Sequence, residues 1–171
     1  MLYRLIFSTF LFLFLSSCST SFFKDDLSLI LDIEKVEIEN SKTLDEWAGM
    51  QGDGFILEVY DLSEKTIQDF ENKSSKELPD KKEKDENWQK YNWSKTPVDS
   101  SFNEVFIMCL NYSSDNQELK TQLNEIGKLI EREDGAYYSF YYKPDKENPQ
   151  NVQLFILDSK NRKLYAIDQQ I

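Results

Sequence analysis

The C-terminal third sets the fold. In Ala136-Tyr137-Tyr138-Ser139-Phe140-Tyr141-Tyr142-Lys143, Tyr138, Phe140 and Tyr142 share one side. Tyr137, Ser139, Tyr141 and Lys143 share the other, which is the period of a β-strand. Val152-Gln153-Leu154-Phe155-Ile156-Leu157 and Leu164-Tyr165-Ala166-Ile167 follow, joined by the turn-rich Asp158-Ser159-Lys160-Asn161-Arg162. Connections this short suit hairpins, whereas a parallel return needs a crossover of a dozen or more residues. An antiparallel sheet is expected, with Pro144 to Pro149 as a loop. Tyr137 and Tyr141 are then either under a second layer or exposed as a stripe.

Upstream, Phe55 to Leu62 reads as a strand with Phe55, Leu57 and Val59 on one face. Ser63-Glu64-Lys65-Thr66 resembles a helix start, continued by Ile67 and Phe70. Val36 and Ile38 alternate with Glu37 and Glu39, a strand with one wet face. Leu31 and Ile33 have the opposite parity, so a break is expected near Lys35. Asn40 to Gln51 reads as a loop. Ser101-Phe102-Asn103-Glu104 has capping-box spacing, and Phe102, Val105, Phe106 and Cys109 fit one helical face, with a strand left open by their β-branched and aromatic content. Asp115 to Glu118 starts a clearer helix through Leu119, Leu123, Ile126 and Ile130, ended by Asp134-Gly135. The sum is one α+β domain over 27–171, an antiparallel sheet with one or more helices packed on one face.

Asn72 to Asn87 holds five lysines, five acids, Pro79 and one sizeable aliphatic residue, Leu78. It reads as an exposed charged loop that can be replaced without unfolding the domain. Trp88, Tyr91 and Trp93 follow it. They form either an aromatic platform for a sugar or a partner protein, or core beneath the loop.

The N-terminus has a separate logic. Arg4 precedes an apolar run from Leu5 to Leu15, the length of a secretory signal and too short to span a bilayer. Ser16-Ser17-Cys18 ends it. Leu15-Ser16-Ser17-Cys18 resembles the lipobox of bacterial lipoproteins. The resemblance implies a signal peptide at 1–17, cleavage after Ser17, diacylglyceryl transfer to the Cys18 thiol and acylation (palmitate-class chains) of the new amino group. Several acyl chains hold a protein stably where one does not. Residues 18–26 then form a lipidated tether, in which Phe22 and Phe23 either dip into the interface or cap the fold.

Removing 17 of the 171 residues leaves 154, ample for one core, and with Arg4 gone the formal charge moves from −11 to −12. Such acidity disfavours nucleic acid and adhesion to anionic lipid. With Cys18 acylated, Cys109 has no disulfide partner, and its apolar surroundings mark a buried thiol. The chain has no histidine, which removes histidine triads, histidine general bases and histidine zinc ligands. No cofactor and no metal ligand set is read.

Gly52-Asp53-Gly54 enters a strand, so a structural turn fits it better than a phosphate or calcium loop. Together with Trp93 four before Pro97, Gly135-Ala136-Tyr137-Tyr138-Ser139-Phe140, and Leu154-Phe155-Ile156-Leu157-Asp158 ahead of Leu164-Tyr165, it forms an ordered set of landmarks. The set resembles a family of small uncharacterised bacterial proteins with a Gly-Gly-Phe-His-Gly-Asp-Gly stretch, Trp-x-x-Leu-Pro and a final tyrosine-rich hairpin. This chain departs from it at Met50-Gln51, which replace Phe-His, at Ala48 for the first Gly, at Thr96 for Leu, and at Ser159 for Thr. The resemblance implies no activity.

Taken together, the sequence leads to a lipoprotein of the cell envelope, anchored on the non-cytoplasmic side, at the periplasmic face or the cell surface. Its expected role is a non-catalytic binding module for a basic protein partner, of immunity or inhibitor type. The rivals are a carboxylate enzyme acting on envelope polymers and a structural envelope component. Candidate binding residues are Trp88, Tyr91, Trp93, Tyr137 and Tyr141. The lipobox generates the first prediction: Cys18→Ser moves the protein from the membrane fraction to the soluble fraction or leaves it unprocessed. Mass spectrometry of the wild-type N-terminal peptide checks it, since a peptide without lipid contradicts the reading.

Overall fold

The computed structural model describes residues 21–46, 54–81, 87–133, 135–145 and 148–170. Cys18, Gly52 and Asp53 lie outside the described residues. Among the described residues six strands make one sheet: β1 (Ile38–Asp45), β2 (Gly54–Leu62), β3 (Gln89–Lys95), β4 (Ala136–Asp145), β5 (Asn148–Asp158) and β6 (Lys163–Gln170). Their order is β1-β2-β6-β5-β4-β3, and every neighbouring pair is antiparallel. The helices are α1 (Leu27–Ile30), α2 (Glu64–Glu71), α3 (Asn103–Leu110) and α4 (Gln117–Ile130). The expected α+β antiparallel fold is the fold observed. No helix among the described residues is long and apolar enough to cross a membrane.

Local chemistry explains most element ends. Ser63 caps α2 by accepting from the Thr66 amide at 3.2 Å. Asn116 caps α4 through the Glu118 and Leu119 amides at 3.0 and 3.3 Å. Each such cap is worth about 1 kcal/mol. Ahead of α3 the expected capping box is not what forms. A 3₁₀ turn spans Ser100–Phe102, and Asp99 caps it through the Ser101 amide at 2.8 Å. Asp158 closes the β5–β6 hairpin by accepting from the Asn161 amide and its Nδ2 at 3.1 and 2.7 Å. Gly135 has φ 74°, a left-handed conformation that favours glycine; a Cβ there would sit 2.7 Å from the flexible Lys160 side chain, which would have to move aside.

Both faces of the sheet are covered. On the first, Phe55, Leu57, Tyr138, Phe140, Leu154, Ile156, Tyr165 and Ile167 meet Val105, Phe106 and Cys109 of α3 and Leu119, Leu123 and Ile126 of α4. On the second, Tyr60, Leu62, Tyr141, Phe155, Leu157, Leu164 and Ala166 meet Phe23, Leu27, Ile30, Leu31, Ile67, Phe70 and Leu78. Tyr137 and Tyr141 therefore belong under a second layer. That layer comes largely from the N-terminal residues and the charged segment. Phe23 caps the fold, whereas Phe22 remains about half exposed, at 48%.

Three local expectations are corrected. Residues 27–30 are helical, and the strand begins at Ile38 and runs through Asp45, where a loop was expected. The strand is an edge with almost no buried side chain, so its apolar signal is weak. The break expected near Lys35 is present, since residues 31–37 belong to no helix or strand, and a register slip follows between Ile38↔Leu62 and Asn40↔Asp61. Pro144 to Pro149, read as a loop, is largely strand, since β4 runs to Asp145 and β5 starts at Asn148. The fully exposed reading of 72–87 also fails at Leu78, which is 1% exposed within the second core.

Leu78 tests how the charged segment is held. Leu78→Ala should lower stability by about 3 kcal/mol, the cost of a cavity in a packed core. Replacement of the whole segment should cost at least as much. Denaturant unfolding measures both, and a change under about 0.5 kcal/mol, the usual effect of a surface substitution, contradicts the packing.

Candidate functional site

The five aromatic candidates do not form one platform. Tyr91 lies on the first face, stacked on Tyr138 and Phe140 at 5.6 and 5.3 Å. Trp93 lies on the second face, buried, with Nε1 donating to the Ile30 carbonyl at 2.8 Å. Equal parity in an unbroken strand would put them together. The bulge between Tyr91↔Phe140 and Ser94↔Tyr138 sets two β3 residues against one of β4 and turns Trp93 over.

The remaining candidates share the second face. Tyr137 packs edge-on against Phe70 at 5.2 Å, and the Lys76 and Lys95 ammonium groups approach its ring at 5.9 and 5.8 Å. Tyr141 is buried and donates from its hydroxyl to the Pro79 carbonyl at 2.6 Å. Trp88 packs at the margin of this core, with Lys81 Nζ 3.5 Å from its ring centroid and 5.6 Å from that of Tyr141. This cation–π contact fastens the charged segment at a second point. Gly54 opens β2, opposite Gln170.

Beside Tyr141 the surface opens into a trough with two lobes. One lobe, about 750 Å³, is bounded by Phe22, Phe23, Asp26, Leu29, Ile30, Pro79, Asp80 and Lys81, with Tyr141, Gln153 and Phe155 as its floor. The other, about 710 Å³, continues past Leu29, Pro79 and Asp80 to Asp32, Ile33, Glu34, Lys73, Ser75, Glu77 and Lys90. One wall is the segment around α1 and the other is the start of the charged segment. The first lobe is apolar and aromatic, the second charged.

The trough is acidic on balance. Asp26, Asp32, Glu34, Glu77 and Asp80 face Lys73, Lys81 and Lys90. Lys90 pairs with Asp80 at 2.6 Å and Lys73 with Asp32, while Lys81 is engaged by Trp88. The Lys90 hydrogen bond, helped by its charge, holds the Asp80 carboxyl below the usual carboxylate range. Burial, aided by the charges of Asp80 and Asp26, pushes the Tyr141 phenol up, so it donates a proton rather than losing one.

The residue that sequence reasoning missed is Glu58. It lies on β2 at 1% exposure. Its Oε1 accepts from the Phe22 amide at 2.7 Å and its Oε2 from the Phe23 amide at 2.9 Å. The Tyr60 hydroxyl also donates to it, and Thr43 Oγ1 approaches at 3.3 Å. Ser21 Oγ meets the Tyr60 hydroxyl at 2.8 Å. One carboxylate thus fixes the chain at its first described residues. Burial, with the hydrogen bond to Glu58, drives the Tyr60 phenol well up. Glu58 shares the parity of Tyr60 and Leu62, both buried, and that parity was the available signal. It was hidden because Phe55, Leu57 and Val59 already supplied one apolar face.

The other buried carboxylates are committed too. Asp158 holds the hairpin turn, and Asp168 accepts from Gln153 Nε2 at 2.8 Å and Gln170 Nε2 at 3.2 Å. Among the described residues no three acidic or cysteine side chains gather to hold a metal ion. Cys109 is fully buried, and burial pushes its thiol up, away from the reactive thiolate.

Comparison with protein-family models, curated proteins and solved structures finds no match.

Glu58 generates the prediction for this site. Glu58→Ala leaves two amides and a phenol without their acceptor and should cost about 3 kcal/mol, the range for buried bonds to a charged group. Hydrogen exchange at the Phe22 and Phe23 amides should rise before global unfolding. Unchanged protection at those two amides contradicts the role.

Proposed function

We propose that this protein is a lipid-anchored, non-catalytic binding module whose trough receives a basic segment of a partner protein. The observation that carries the reading is the trough itself: an aromatic floor, apolar edges and an acidic surplus in one concavity. Ligand sites combine apolar lining with a few placed polar groups in this way. Opposite charge at the rim speeds encounter and fixes orientation. A Lys- or Arg-bearing segment would meet Asp32, Glu34 and Glu77 in the charged lobe, and its apolar residues would meet Ile33.

The lipobox at Cys18 supports a site of action at the envelope, on the non-cytoplasmic side. The structural commitments of Glu58, Asp158 and Asp168 favour the binding module over a carboxylate enzyme, because an acid–base pair needs carboxyls aimed at a substrate. The resemblance to an uncharacterised family rests on the ordered landmarks and adds no activity.

A photo-crosslinking amino acid placed at Glu34 or Glu77, in the native envelope, tests the reading. The expected result is one protein captured at both positions, through a peptide rich in Lys or Arg, and not captured from Lys120 on α4. Charge reversal at Glu34 should reduce capture from Glu77 about fivefold, equivalent to roughly 1 kcal/mol at a rim position. Equal capture from Lys120, or an acidic captured peptide, contradicts it.

A further inference from the structure

We infer that the edge formed by Phe22 and Leu29 lies in the membrane interface, so that the domain sits flush on the bilayer in one fixed orientation. The inference rests on acylation of Cys18, and the chain length makes it specific. Two residues, Ser19 and Thr20, separate Cys18 from Ser21, so the three steps between them reach about 10 Å at full extension. The headgroup layer on each side of a bilayer is roughly 6 Å deep. A chain that begins in the acyl region at Cys18 therefore meets the folded domain at or just above the headgroups.

A longer stalk would let the domain tumble, but this one is fastened. Ser21 is bonded to Tyr60, and the Phe22 and Phe23 amides are bonded to Glu58, which belongs to the second strand of the sheet. The anchor thus enters a rigid body, and the surface around that entry must face the lipid.

That surface carries apolar groups otherwise out of place. Phe22 is 48% and Leu29 58% exposed, although each stands beside a buried core residue, Phe23 and Ile30. Both edge the apolar lobe of the trough. Ile107, the third exposed large hydrophobic residue described, is on α3, across the sheet. An aromatic ring and a leucine beside a lipid anchor add interfacial burial without a net positive charge. With a formal charge of −12 after removal of the signal, the fitting lipid is zwitterionic, not anionic. The charged lobe, beyond Leu29, stays on the aqueous side for the partner.

Site-directed spin labelling of the full, acylated protein in phosphatidylcholine vesicles tests this. Cys109 is buried and Cys18 is acylated, so Phe22→Cys, Leu29→Cys and Ile107→Cys each offer one reactive thiol. Labels at 22 and 29 should collide with oxygen several-fold more, relative to a water-soluble nickel chelate, than the label at 107. If all three labels are equally aqueous while the protein floats with the vesicles and carries lipid on Cys18, the inference falls and the anchor stands. Labels at 22 and 29 shielded from both reagents indicate contact with protein, and also overturn it. An N-terminal peptide without lipid overturns the anchor and the inference together.

Discussion

The constraint behind the whole structure is that β5 and β6 are buried on both sides. Leu154, Phe155, Ile156 and Leu157 are all sealed, as are Leu164, Tyr165, Ala166 and Ile167. An antiparallel sheet can leave one face to water, but here Phe155, Leu157 and Leu164 would lie open if it did. A second layer must therefore be found. α3 and α4 cover the first face. On the second, α2 is too short to do so alone, and the chain recruits Phe23, α1 and Leu78.

Recruiting such segments raises a polar problem. An N-terminal stretch laid across a sheet brings its amide groups out of water, and buried amides need acceptors. Glu58 supplies them, from a strand position that an apolar residue would otherwise fill. The charged segment is treated alike: Leu78 enters the core, its amide donates to Asn92 Oδ1 at 3.1 Å, and its carbonyl accepts from Lys90 Nζ at 3.0 Å. The buried Leu78, with the Tyr141–Pro79 hydrogen bond and the Lys81–Trp88 contact, holds a hydrophilic strap in place, and the trough is the gap left between the strap and α1. The candidate site is a by-product of how the second face is closed.

Much of this was legible because periodicity is local. The alternation of Ala136 to Lys143, the hairpin closed at Asp158, and the α4 stripe of Leu119, Leu123 and Ile126 each lie within one element. So do the caps Ser63 and Asn116. The absence of histidine and the pattern at Cys18 are likewise properties of the string itself. They bound the chemistry and point to the proposed anchor without reference to any fold.

What the tertiary structure alone decided depends on pairs of residues far apart in the chain. A bulge in β3 sends Tyr91 and Trp93 to opposite faces, and bulges answer to the partner strand. Glu58 reads as an ordinary strand acid until Phe22 and Phe23, more than thirty residues away, bring it their amides. Leu78 is one apolar residue among charges, and only the uncovered second face gives it a place to go. Sequence determined β2, α2, α4, the cores of the C-terminal strands and the acidic, histidine-free chemistry. The sealing of the second face decided which of those residues are core, which are fastenings, and where the surface stays open, because burial is a contest among distant segments for the same area.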